Sequence, residues 1–138
     1  MAQINRYNKK ISGPLIDRID LFINVTPVKH DKLLSGKADE SSQIVAKRIA
    51  NARQIQHKRN VTDQGSSLNA SLSPRQIKQV CQLDESCQAL ARQALASLGL
   101  SARGYTRTLK VALTITDLAG SDSINVQHLA EALPYRSR

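Results

Sequence analysis

Ser101-Ala102-Arg103-Gly104-Tyr105-Thr106-Arg107-Thr108-Leu109-Lys110-Val111-Ala112-Leu113-Thr114-Ile115-Thr116-Asp117-Leu118-Ala119-Gly120 is the stretch on which the fold turns. Ser101 is a strong N-cap, because its hydroxyl accepts a hydrogen bond from a first-turn N–H that has no carbonyl before it. Leu100 and Tyr105 stand at the two positions that staple a helix start. From Leu109 to Ala119 the residues are apolar on nearly every side, a pattern that suits a helix surrounded by other helices. Gly120 supplies the left-handed stop. The stretch predicts a central, most buried helix with the rest of the chain packed around it.

Working outward, the same punctuation repeats. Asn125 caps a short last helix carrying Val126, Leu129, Ala130 and Leu133, closed by Pro134. Upstream, Asp84 caps a helix whose Cys87, Leu90, Ala91, Ala94, Leu95 and Leu98 recur at spacings of three and four, and Gly99 ends it. Before that, Ser73 is an N-cap with Pro74 at the first helical position, Gln76 completes a capping box, and Leu72 staples against Ile77. Residues 60 to 72, rich in Ser, Asn and Gly, read as a mobile connection. From about Ser41 to Arg59, Ile44, Val45, Ile49, Ala52 and Ile55 share one arc of a basic helix, with Lys47, Arg53 and Lys58 mostly outside it. Residues 29 to 40 read as a polar linker.

The first thirty residues follow another rule. Ile19, Leu21, Ile23 and Val25 alternate with polar or opposite-facing residues up to Pro27, which is a strand signature. No second strand run occurs in the sequence. A lone strand must lie against the helices or be a remnant that has lost its sheet, since its backbone donors and acceptors need partners.

Composition agrees with a helical reading. The 138 residues suit one domain's worth of chain; they are 41% hydrophobic but only 3% aromatic, so the core must be aliphatic and alanine-rich. The formal charge is +9, and residues 1 to 60 hold twelve bases against five acids, which points to a polyanion near the first half. Cys81 and Cys87, six apart in helical sequence, read as reduced, packed thiols. His30, His57 and His128 have no second ligand at helical spacing, so no metal site is expected. The sequence has neither the ~18 consecutive apolar residues of a membrane span nor the apolar core of a signal peptide, and it reads as cytoplasmic with no membrane partner.

Two arginines stand out as candidate ligands. Arg103 lies in the first turn of the central helix, where free N–H groups and the helix dipole already make a positive end. A cation is mildly unfavourable there until an anion arrives, so the position fits a phosphate contact. It fits a solvent-facing or carboxylate-paired arginine as well. Arg107, one turn on, is a weaker candidate of the same kind. Arg18 lies between Asp17 and Asp20, and spacing alone favours a local ion pair. The sequence holds no phosphate-cradling G-x-x-x-x-G-K-[ST] loop, no nucleophile elbow and no catalytic carboxylate pair, so autonomous catalysis is not expected.

Three blocks carry a family resemblance: Arg6-Tyr7-Asn8-Lys9-Lys10-Ile11-Ser12-Gly13-Pro14-Leu15-Ile16-Asp17-Arg18-Ile19-Asp20-Leu21, then Leu100-Ser101-Ala102-Arg103-Gly104-Tyr105-Thr106-Arg107-Thr108-Leu109-Lys110-Val111-Ala112, then His128-Leu129-Ala130-Glu131-Ala132 with Tyr135-Arg136. In order and spacing they resemble the carboxy-terminal part of the magnesium-chelatase-like AAA+ ATPases of the ComM/YifB competence family. The resemblance implies a mainly α fold, with residues 1–28 as the end of the AAA+ core, 29–40 as linker and 41–136 as the helical lid. It implies that Arg18 is an arginine finger reaching the nucleotide of a neighbouring subunit, and that Arg103 is the sensor-2 residue, with Arg107 as a second phosphate contact. It further implies ATP and Mg2+ as cofactors of a longer protein that carries the Walker A, Walker B and sensor-1 elements upstream. The partners implied are other copies in a hexameric ring, and DNA as the substrate of a branch-migration motor in natural transformation. Two positions depart from the family: Leu113 stands where another arginine is usual, and Pro134 where glutamine is usual. The competing readings are a free-standing basic module binding nucleic acid through Lys47, Arg48, Arg53, Lys58 and Arg59, and a chelatase-type metal-insertion subunit.

Overall fold

The computed structural model describes residues 18–27, 40–62 and 65–136. In chain order the helices are α1 (Ser42–Arg59), α2 (Pro74–Val80), α3 (Glu85–Leu98), α4 (Ala102–Leu118) and α5 (Val126–Ala132). Val61–Thr62 (β1) and Gly65–Ser66 (β2) pair antiparallel, with Val61 opposite Ser66 and Thr62 opposite Gly65. Single 3-10 turns cover Asn69–Ser71 and Leu133–Arg136. The mainly α architecture expected from the sequence is present.

The helix starts are set by side-chain acceptors. Ser73 Oγ accepts from the Gln76 N–H at 3.3 Å while Gln76 Oε1 accepts from the Ser73 N–H at 2.8 Å, a closed capping box. Asp84 Oδ1 accepts from the Cys87 N–H at 2.7 Å, and Ser101 Oγ from the Gly104 N–H at 3.0 Å. Asn125 Oδ1 accepts from the His128 N–H at 2.9 Å, and His128 Nδ1 takes the place of the usual Glu or Gln by accepting from the Asn125 N–H at 3.4 Å. Gly99 and Gly120 supply the positive φ, 58° and 67°, that turns the chain out of α3 and α4.

α4 is the axis of the domain. Its Leu109, Ala112 and Leu113 bury against Ile77 of α2, Cys87 and Ala91 of α3, and Leu129 and Ala132 of α5. Thr108 and Thr116, also buried in α4, donate back to the carbonyls of Gly104 and Ala112 at 3.1 and 2.9 Å, so neither hydroxyl is left without a partner in the core. Both cysteines are reduced and buried, and burial pushes each thiol up to about 11. Leu113 sits inside this aliphatic core at 3% exposure.

Two expectations require correction. The strand expected at Ile19–Val25 is not formed: among the described residues, 18–27 carry no strand, because no ladder partner lies beside them. The alternating face Leu21, Ile23 and Val25 is instead exposed, and Phe22, of opposite parity, is the residue that turns inward, half-buried beneath the Arg136 guanidinium. Its N–H donates to the Tyr135 carbonyl at 2.9 Å. The second correction concerns α1. Only its C-terminal half is covered, at Ala52 and Gln56, while Ile44 and Ile49 on the expected apolar arc remain 57% and 44% exposed.

The connection at 60–72 has buried anchors as well. Asn60 and Asn69 are 4% and 2% exposed, and both bind into a polar network described below. The turn at 12–17 and nearly all of the linker at 29–40 lie outside the described residues.

Candidate functional site

Three cations of α4 share one face. Arg103, Arg107 and Lys110 follow each other at spacings of four and three, so their side chains stack along the first half of the helix. With Asp20, Ala70, Leu72, Pro74, Ala102 and Thr106 they line a cleft of about 430 Å3. The chain folds to this arrangement because Ser101 and Pro74 begin two helices side by side, and the 3-10 turn at Asn69–Ser71 brings Ala70 against α4.

Each cation has a different environment. Arg103, in the first helical turn, is exposed. Arg107 is partly buried and forms an ion pair with Asp20, their side chains retaining 25% and 57% exposure. An open pair of this kind contributes about 0.2–1 kcal/mol. Lys110 donates from Nζ to the Ala70 carbonyl at 2.7 Å. Partial burial, and after it the neighbouring Arg107 charge, lower the Lys110 pKa below its ordinary value. The second effect reflects the crowding of positive charge along this face of α4. The donor set, two guanidiniums and an ammonium at a helix start, matches phosphate oxygens; a divalent cation needs oxygen ligands instead. Among the described residues no group of three His, Cys, Asp or Glu could hold a metal.

The structure brings Arg103 and Arg107 together, as their spacing indicates. Arg18 is exposed in a turn two residues before Asp20 and does not line the cleft. Of the two acids that flank Arg18, Asp20 pairs with the distant Arg107, and Asp17 lies outside the described residues. Sequence reasoning missed Lys110 as a cleft residue, although its i+3 and i+7 spacing from Arg107 and Arg103 was available.

The basic stripe of α1 is smaller than its sequence indicates. Arg48 pairs with Glu40 at 2.8 Å. Arg59 forms a two-pronged pair with Asp117, at 2.6 and 2.9 Å, and also donates to Asn69 Oδ1 at 2.8 Å. Lys47, Arg53 and Lys58 are the exposed bases that remain from the five.

Residues 39–136 match the family described as magnesium chelatase, subunit ChlI C-terminal, and residues 1–33 match magnesium chelatase, subunit ChlI. The chain belongs to the magnesium chelatase ChlI family. Among its relatives, the competence protein ComM of Haemophilus influenzae is 40% identical over 136 residues, covering 98% of this chain and 26% of that protein. YifB of Escherichia coli is 40% identical over 137 residues, again 98% of this chain and 26% of the relative. A protein of Mycobacterium tuberculosis, Rv2897c, is 34% identical over 135 residues with the same coverage. The chain thus spans about a quarter of the length of these relatives. It is a ComM/YifB-like member of the AAA+ group. No helix among the described residues is long and apolar enough to cross a membrane.

Proposed function

We propose that this chain is the helical lid, with the finger-bearing end of the core, of an AAA+ ATPase that works as a ring on DNA. The domain division that goes with this reading is core end at 1–28, linker at 29–40 and lid at 41–136. The observation that carries it is the cleft in which Arg103, Arg107 and Lys110 converge at the start of α4, a cationic site matched to the phosphates of a nucleotide. On this reading Arg103 contacts phosphate as sensor 2, Arg107 assists it, and ATP with Mg2+ is held mainly by loops that this chain lacks. Arg18, exposed and outside the cleft, is suited to reach a neighbouring subunit's nucleotide. Phosphoryl transfer needs charge neutralisation rather than covalent chemistry, and a finger in trans supplies it. Work on DNA and assembly as a hexamer belong to the same proposal. The free-standing nucleic-acid module is the weaker reading, because Arg48 and Arg59 are committed to Glu40 and Asp117.

The experiment is subunit mixing in the full-length protein. Arg18→Ala subunits and subunits with a disabled phosphate loop should each be inactive alone and regain partial ATPase activity when mixed, because wild-type fingers then meet wild-type pockets. No recovery on mixing, in rings shown to contain both subunits, contradicts a finger acting in trans.

A further inference from the structure

The segment from Ile19 to Phe22 is tied to the helical domain at three points. The Phe22 N–H donates to the Tyr135 carbonyl at 2.9 Å, Arg136 donates to the Ile19 carbonyl, and Asp20 pairs with Arg107 inside the cationic cleft. The first two ties are made to the last 3-10 turn, whose Arg136 also lies against Gly104 at the start of α4. The third places a carboxylate where the cleft is otherwise positive on one side. Among the described residues that carboxylate is the one acidic side chain lining the cleft, and it belongs to the segment that continues to Arg18.

We propose that Asp20 is an internal stand-in for a phosphoryl ligand: its carboxylate holds Arg107 while the cleft is empty, and a phosphate-bearing ligand displaces it and loosens the Ile19–Phe22 strap. The inference rests on the proposed nucleotide-lid reading and adds regulation to it, with Lys110 as a third ligand-binding residue. Displacement follows from charge. A terminal phosphate carries roughly −1.5 to −2 at neutral pH and three acceptor oxygens, against a single charge and two oxygens on Asp20. The two anions repel each other across one set of cations, so the cleft holds one or the other. The Asp20 pair is half-open to solvent and therefore weak enough to exchange. A ligand that binds the open state better than the closed one shifts the equilibrium by that difference alone, and here the difference is the carboxylate it replaces. Occupancy of the cleft is thereby linked to the freedom of the residues beside Arg18.

The test uses this chain, isotopically labelled, titrated with inorganic pyrophosphate and compared with sodium chloride at equal ionic strength. Pyrophosphate should bind weakly, with millimolar affinity, shifting the amide resonances of Gly104, Arg107 and Lys110, and the Phe22 amide should exchange faster at saturation. Asp20→Asn, which removes the competing charge, should tighten pyrophosphate binding roughly two- to fivefold, as expected for a partly occupied competitor. Lys110→Met should weaken it. If Asp20→Asn leaves the affinity unchanged or lowers it, or if pyrophosphate binds without altering Phe22 exchange, the stand-in role is overturned. Equal shifts with chloride overturn the site itself. Loss of the finger role in the full-length ATPase, with the pyrophosphate exchange intact, removes the nucleotide-motor reading and leaves the cleft as an anion-operated latch.

Discussion

Arg59 and Asp117, 58 residues apart, face each other as a two-pronged ion pair whose acid is fully buried and whose guanidinium keeps 24% exposure. Asn69 closes the network by donating to Asp117 Oδ2 at 2.8 Å and accepting from Arg59 at 2.8 Å, while its own N–H donates to Gln56 at 3.1 Å. The C-terminal end of α1, the 3-10 turn at Asn69–Ser71 and the end of α4 are held at one point by polar contacts rather than by apolar packing.

Removing one partner leaves the other charged and buried, which costs far more than the pair contributes. Arg59→Leu should therefore destabilise the domain by about 3 kcal/mol, since Asp117 loses its compensation. Arg59→Lys keeps the charge and loses the fork, so its cost should be smaller. Urea denaturation of both variants checks the order; equal stability of Arg59→Leu and wild type contradicts the role given to the network.

Acid should act on the start of α3. Two hydrogen bonds from Cys87, the backbone N–H first, hold the Asp84 carboxyl below its ordinary value. Its folded pKa is depressed, so its contribution is present above the unfolded value of about 3.9 and is lost as pH falls through the folded value. Thermal midpoints recorded from pH 5 downward should show this decline begin near the ordinary carboxylate value. Asp84→Asn keeps the cap without titrating, so its midpoint should be close to wild type at neutral pH and decline less in acid.

Gly104 offers an opposite case. It is buried in the first turn of α4, and a Cβ there would lie 3.4 Å from the ends of the Arg136 and Ser101 side chains, at the near edge of ordinary contact. Gly104→Ala should stabilise the helix by about 0.5–1 kcal/mol through reduced chain entropy in the unfolded state. Loss of stability in this variant contradicts the room for a methyl group between Arg136 and Ser101.

The helices were legible because their signals are local. Ser73, Asp84, Ser101 and Asn125 each cap the helix that follows within three residues, and Gly99 and Gly120 end two of them. The features that escaped are set by distant partners. Arg59 looks like one more surface base until Asp117 arrives from α4, and Asn69 looks like loop until both of them surround it. The alternation at Ile19–Val25 is a true strand pattern, but a pattern does not supply the neighbouring strand, so the segment docks through Phe22 instead. In the cleft, Arg103 and Arg107 were visible from the physics of a helix start. Asp20 entered only through a tertiary pairing that no local spacing encodes.

Steady-state ATP hydrolysis by full-length Arg18→Ala and Arg103→Ala variants, with melting temperatures measured alongside, tests whether these two arginines act on the nucleotide. An arginine that meets charge developing on a transferring phosphoryl group is worth roughly 10³ to 10⁵ in turnover when supplied in trans, so Arg18→Ala should nearly abolish activity. Arg103→Ala should also cut turnover, and Arg107→Ala less so. Both Arg18 and Arg103 are exposed, so melting temperatures should stay near wild type. Wild-type turnover in both variants, or losses matched by unfolding, would show that neither arginine acts on the nucleotide.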